Sequence, residues 1–363
     1  MPRSRTVLVA ALLAFLASAV AHAAAPPFRL GLTHGQRSLD PWASRAAVDA
    51  GRELLAASPG TLQNQHIMGW GAANPEPVPG SYRWSSLDRR MELVRATHGT
   101  PVITLCCAPD WMKGGVPGTT DWARLDAAPA TTSFDEFARL AAAVARRYPD
   151  VHHFLVWNEM KGFWDPVRNR WRYEDYTRLY NKVYVALKAV SPAIQVGGPY
   201  VPMISWRPDV GGGRDSAVRG PWGMVDQRAL DAVDYWLAHA VGADFVAVDG
   251  NGSLQDGTFL VPPMQSLAKL AAVDDWLRSR TALPIWWAEV SPIPFGTSGR
   301  YTPAAEASLW GATVETLARS GAAAALLWQA ESSRGHTGLW TSVSTATGGR
   351  PTLVHDAVAR SLG

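Results

Sequence analysis

Cysteine is nearly absent: the 363 residues hold two, Cys106 and Cys107, side by side. So few thiols rule out a disulfide framework, and no His/Cys/Asp cluster has metal-ligand spacing, so no metal or other cofactor is expected. Adjacent Cα atoms sit about 3.8 Å apart across a trans peptide, closer than ordinary disulfides allow. Two free thiols near a strand end are expected, with a strained vicinal disulfide as the alternative. Charge of one sign is scarce too. The formal balance is only +3, and two of those charges fall in the first five residues. With no dense Lys/Arg stripe, nucleic acid is excluded as the main partner. Beyond the N-terminus there is no long apolar run; residues 322–328 are apolar but far short of the roughly 20 that a membrane span needs. No glycine-rich dinucleotide fingerprint follows the first strand, and no phosphate loop occurs.

What is present begins with an export signal. Arg3 and Arg5 precede an apolar run from Val7 to Val20, and Ala21-His22-Ala23 supplies small residues at the −3 and −1 positions. Residues 1–23 are expected to be a cleaved secretory signal, and 24–363 a secreted chain. A membrane anchor is the weaker reading, because the run is short. About 340 residues suit one α/β barrel. The 17 tryptophans serve a large core, and indole faces also stack on the C–H faces of sugars.

Short β-like runs alternate with amphipathic stretches. Strands are expected at 28–32, 62–70, 101–105, 151–157, 194–196, 245–248, 283–288 and 323–328. Helices are expected at 45–56, 85–97, 134–147, 173–190, 227–241, 263–279, 303–319 and 355–361. The clearest stripe is Phe134, Phe137, Ala138, Ala141, Val144 and Ala145, which share one helical face. Continuous apolar strands between helices describe a parallel sheet covered by helices. Eight units predict a closed (β/α)8 TIM barrel in a single domain. The longer polar segments 111–131, 160–172, 199–226 and 331–350 all follow strands, where barrel loops form an active-site rim.

Two glutamates end apolar strands on opposite sides of such a barrel. Glu159 closes Phe154-Leu155-Val156-Trp157-Asn158-Glu159, and Glu289 closes Ile285-Trp286-Trp287-Ala288-Glu289. Paired carboxyls facing each other over a sugar are what glycosidic hydrolysis requires, one protonated as acid and one ionised as nucleophile. Burial and mutual repulsion must push their pKa values apart, and the acid, Glu159, is expected to hold the higher one.

Trp157-Asn158-Glu159 resembles the strand-four Asn–Glu signature of a large clan of retaining barrel glycosidases. The chain is most similar to glycoside hydrolase family 39, which contains β-xylosidases and α-L-iduronidases. Tyr82-Arg83-Trp84, Leu87-Asp88, Pro109-Asp110-Trp111-Met112, Gly197-Gly198-Pro199, Gly338-Leu339-Trp340 and Gly349-Arg350-Pro351 carry the resemblance over roughly residues 28–360. It implies that Glu159 is the acid/base, that Glu289 is the nucleophile, and that Asn158 holds the sugar 2-hydroxyl. Trp328 resembles the platform under the catalytic sugar. Two departures are visible. There is no room for the accessory β-sandwich that accompanies xylosidases of this family. The strand-six end reads Val248-Asp249-Gly250-Asn251-Gly252, without the His or Tyr expected there to orient the nucleophile.

Further candidates for substrate contact are His66, Trp111, Asp249, Trp287 and Glu331. His66 has an equally good structural reading, and Asp249 and Glu331 also suit loop capping. The expected partner is a carbohydrate. The alternative to an enzyme is a secreted, non-catalytic carbohydrate-binding barrel using the same groove.

Overall fold

The computed structural model describes residues 27–36, 38–40, 44–294, 300–333 and 335–362. The expected signal segment lies outside them. Eight parallel strands close into a barrel in sequence order: β1 (Arg29–Thr33), β2 (Leu62–His66), β3 (Thr100–Leu105), β4 (His153–Val156), β5 (Gln195–Pro202), β6 (Phe245–Gly250), β7 (Ile285–Val290) and β8 (Ala324–Trp328). β8 pairs back onto β1, Arg29 opposite Ala324 and Thr33 opposite Trp328. Helices α1 (Arg45–Ala56), α2 (Ser85–Ala96), α3 (Phe134–Arg147), α4 (Tyr173–Val190), α5 (Gln227–His239), α6 (Ala268–Arg280), α7 (Pro303–Ser320) and α8 (Leu353–Arg360) cover it. The chain is a single-domain (β/α)8 barrel, as its periodicity predicts. The stretch expected as one helix over 263–279 forms two, Pro263–Ser266 and then α6. Among the described residues no helix is long and apolar enough to cross a membrane.

Alternation along each strand sorts side chains between two cores. Outward-facing Ile103, Phe154, Val156, Val196, Val246 and Val248 meet the helices, where the stripe Phe134, Phe137, Ala138, Ala141, Val144 and Ala145 is buried. Inward-facing Leu62, Val102, Leu155, Phe245, Trp286 and Leu326 fill the barrel. Two glycines make room for them. A Cβ on Gly31 would meet Leu62 and Leu326 at 2.5–2.6 Å, and one on Gly197 would meet the Phe245 ring at 2.0 Å. A polar tier lies in the same interior. Asn64 Nδ2 donates to Thr33 Oγ1, Thr104 Oγ1 donates to Asn64 Oδ1, and Thr33 Oγ1 donates to the Ala288 carbonyl, all within 3.1 Å. These bonds lock β1, β2, β3 and β7 together with no buried hydroxyl or amide left over.

Long loops leave the C-terminal ends of the strands. The β4–α4 loop carries a hairpin, Trp164–Asp165 with Arg170–Trp171, and the β5–α5 loop carries a three-stranded sheet of Ser205–Trp206, Gly223–Val225 and Arg219–Gly220. Cys106 and Cys107 follow β3, wholly buried, and are joined by a disulfide. This corrects the expectation of free thiols in favour of the alternative, a vicinal disulfide; the peptide between the two is cis and their Cα atoms are 2.9 Å apart.

Trp287 corrects a second expectation. It is wholly buried on the helix side of β7, and its indole N–H donates to Asp274 Oδ1 of α6 at 2.8 Å. Its ring has no exposed face. Asp274 also accepts from the Ser320 hydroxyl. Asp274→Ala leaves that indole N–H buried without an acceptor. The unfolding free energy should drop by about 1–3 kcal/mol in chemical denaturation, and an unchanged midpoint would contradict the packing described.

Candidate active site

Glu159 reaches the barrel axis through a sharp turn. β4 ends at Val156, and Trp157, Glu159 and Met160 then take φ values of +67°, +47° and +49°. Left-handed backbone at three non-glycine residues is costly and persists only where packing over-determines it. Trp157 supplies that packing. Its ring is wholly buried, meets Phe137 and Phe163 edge-on, and donates Nε1–H to the Lys161 carbonyl at 2.8 Å.

Glu289 is brought inward by a β-bulge. Val248 of β6 pairs with Trp287, but the next residue, Asp249, pairs with Glu289, so Ala288 is an extra residue in β7. Simple alternation would put Glu289 on the same face as Trp287; the bulge puts it on the opposite one. A second bulge lies in β5. Ala247 pairs with Pro199 and Val248 with Val201, leaving Tyr200 as the extra residue, with φ +55°. Tyr200 turns into the barrel, wholly buried, and its hydroxyl donates to Glu289 Oε1 at 2.8 Å. The orienting group that the strand-six end lacks is therefore present, supplied by strand five.

Glu159, Asp249 and Glu289 converge so that one oxygen from each lies within 4.8 Å of the others. Asp249 hydrogen-bonds Glu159, and the Lys161 ammonium forms an ion pair with Glu159 Oε2. Asn158 and His66 are wholly buried beside them. His66 Nε2 lies 3.4 Å from Asn158 Oδ1 and 3.9 Å from Glu289 Oε1, and its ring stacks on Trp70 with centroids 4.2 Å apart. Asn158 Nδ2 and His66 Nδ1 are buried with no hydrogen-bond partner. Among the described residues, the three carboxyls are the one group compact enough to hold a metal ion. The ammonium already paired with Glu159 supplies positive charge there.

The electrostatics reverse one expectation. Burial would raise Glu159, but the Asp249 hydrogen bond and the Lys161 charge outweigh it and hold this carboxyl below its ordinary value. Burial and then the Glu159 charge push Glu289 up to about 8, against the Tyr200 hydrogen bond, which lowers it. Asp249 is raised well above the usual carboxylate range by burial and by its two acidic neighbours. These shifts favour ionisation at Glu159 and retention of protons at Asp249 and Glu289. Burial lowers His66 to about 3, so it is a neutral imidazole.

The remaining candidates separate. Trp328 is half-buried at the C-terminal end of β8, on the rim. Trp111 stands on the β3–α3 loop and donates its indole N–H to the Glu76 carbonyl at 2.8 Å. Glu331 accepts from Leu39 N–H, Val343 N–H and the Ser342 hydroxyl at 2.9–3.1 Å, so it ties loops together. Sequence reasoning missed Tyr200, Lys161 and Trp70. Lys161 stands two residues after Glu159, and Tyr200 directly follows Gly197-Gly198-Pro199, so both were adjacent to segments that did stand out.

No known family's sequence profile matches this chain, and no curated protein matches it. Solved structures do. A monomeric β-xylosidase from Caulobacter crescentus superposes with a TM-score of 0.62 at 17% identity, over 92% of this chain and 68% of that one. An endo-1,4-beta-xylanase from Penicillium canescens gives 0.60 at 12% identity, over 92% and 93%. A bacterial orthologue of human α-L-iduronidase gives 0.54 at 16% identity, over 86% of this chain and 50% of that one. This chain spans 58% of a glucosidase from Croceicoccus marinus, which it also matches. At such identities the likeness is one of fold: the chain has the barrel on which these glycosidases are built.

Tyr200→Phe tests the geometry. It removes a hydrogen bond to the ionised form of Glu289, so the carboxyl should titrate higher in the variant than in the wild type by carboxyl-carbon NMR. An unchanged or lower value would contradict the contact.

Proposed function

We propose that this chain is an exported retaining glycoside hydrolase. It cleaves a β-linked glycoside of a plant or microbial polysaccharide or oligosaccharide through a covalent glycosyl-enzyme intermediate. The observation that carries the reading is the approach of Glu159 and Glu289, within 4.8 Å oxygen to oxygen, at the C-terminal mouth of the barrel. Retaining enzymes place their carboxyls about 5–5.5 Å apart, whereas inverting ones need about 6.5–9.5 Å to admit a water. The unpartnered Asn158 Nδ2 supports it too; a sugar hydroxyl is an acceptor of the right kind for a buried amide.

In this reading Glu289 attacks the anomeric carbon while Glu159 protonates the leaving oxygen, and Glu159 then takes a proton from the water that releases the sugar. Tyr200 holds the attacking oxygen and favours its ionised form. Without substrate the surrounding charges favour the opposite distribution, a proton on Glu289 rather than on Glu159. Reaching the reactive state needs one proton to pass from Glu289 to Glu159 as substrate enters, with no change in the total. The three coupled acids make that exchange short-range. Trp328 at the rim supplies an apolar face for the sugar ring.

Two measurements test the roles. Glu289→Gln should abolish measurable turnover. Glu159→Gln should lose about 10²–10⁴-fold on glycosides with poor leaving groups, and far less on nitrophenyl glycosides, which need little acid assistance. A wild type that binds a glycan but turns it over no faster than both variants would make the chain a carbohydrate-binding barrel instead. Lys161→Met removes the cation that favours ionised Glu159. A general acid fails as pH rises through its pKa, so the basic limb of the variant's pH–rate profile should lie at higher pH than the wild type's. A limb that stays or moves down would remove Glu159 from the acid role.

A further inference from the structure

We propose that a cavity beside Glu159 holds an anionic substituent, a carboxylate or a sulfate, on the sugar that leaves, with Lys269, Ser205 and Lys161 as its ligands. The inference rests on the glycosidase reading and names the substrate class for that site.

The cavity has a volume of about 460 Å³, the size of a sugar-binding cleft. It lies among the ends of β4 and β6, the β5–α5 loop and the start of α6. Glu159, Lys161 and Asp249 form its wall on the catalytic side, and Ser205 and Lys269 also line it. Glu289, Tyr200 and His66 are not among its walls. A space that opens on the acid and not on the nucleophile is where the leaving group sits.

Lys269 is the feature that calls for an anion. It stands in the first turn of α6 and is 1% exposed. Among the described residues it has neither a hydrogen-bond acceptor nor an ion-pair partner within bonding distance. The acidic group facing it is Asp249, whose carboxyl favours the protonated form and is engaged with Glu159. A buried ammonium without an acceptor is strongly disfavoured. Ser205 repeats the pattern: its hydroxyl is wholly buried and has no partner. A carboxylate or sulfate offers several acceptor sites and no donors, and so satisfies both groups at once. Lys161 keeps further N–H donors beyond the one spent on Glu159. Burial lowers Lys269 to about 7, with Asp249 opposing the shift. An anion restores the charged form.

The test is calorimetric titration of the wild-type chain at low salt with D-glucuronate, D-glucose 6-sulfate and D-glucose. Free sugars have no glycosidic bond to cleave, so the result stands apart from the turnover that tests the glycosidase reading. At least one anion should bind about tenfold or more tightly than glucose, and the stronger of the two identifies carboxylate or sulfate. Lys269→Met, which replaces a buried charge with an apolar chain of similar length, should bring that anion to within about twofold of glucose. Ser205→Ala should weaken the anion and leave glucose affinity in place; it serves equally if Lys269→Met does not fold. Equal affinities for all three sugars, no saturable binding of either anion, or a preference that survives these substitutions would overturn the proposal.

Discussion

Three carboxyl groups meet, largely buried, at the top of this barrel, with one lysine paired to Glu159. Glu159, Asp249 and Glu289 approach within 4.8 Å, and Lys161 neutralises one charge. Three ionised acids at that distance in a buried setting are electrostatically prohibitive, so the cluster retains protons at neutral pH. That constraint shapes the rest of the site. Tyr200 and Asp249 are placed where they divide the remaining charge, and His66 stays neutral because it is wholly buried. The pairing resembles the problem any two-carboxylate hydrolase must solve, with a third acid added where strand six ends.

The barrel delivers this cluster by breaking its own regularity in three places. Extra residues at Ala288 and Tyr200 shift the inward face of β7 and β5 by one position. Left-handed backbone at Trp157, Glu159 and Met160 turns β4 sharply toward the axis. Elsewhere the strands alternate regularly, and the Thr33–Asn64–Thr104 tier fixes their spacing. Departures from local preference are thus concentrated at the carboxylates, where a costly conformation is repaid by aim.

The same departures explain what the sequence disclosed. The eight strand–helix units were legible because apolar periodicity and turn residues agree in each, and strand-end acids in that frame marked Glu159 and Glu289. Trp287 was misplaced for a specific reason. In a regular strand it shares a face with Glu289, and nothing in Trp286-Trp287-Ala288-Glu289 announces the bulge that separates them. Tyr200 was overlooked because its direction also depends on a bulge. Glu331 has a loop-binding role set by partners as distant as Leu39. Lys269 is 110 residues from Glu159 and looks like an ordinary helix-surface lysine until the fold buries it. For the adjacent cysteines the sequence left two readings, and the structure takes the vicinal disulfide.

The central claim is that Glu289 forms the covalent bond to the sugar, and chemical trapping addresses it whatever the natural substrate is. Activated 2-deoxy-2-fluoro glycosides of xylose, glucose, galactose and arabinose would be incubated with the folded chain, and the labelled protein digested and mapped by mass spectrometry. The account predicts one glycosyl adduct, on the peptide carrying Ile285-Trp286-Trp287-Ala288-Glu289, at Glu289. A stable adduct on Glu159, Asp249 or any other residue would contradict it.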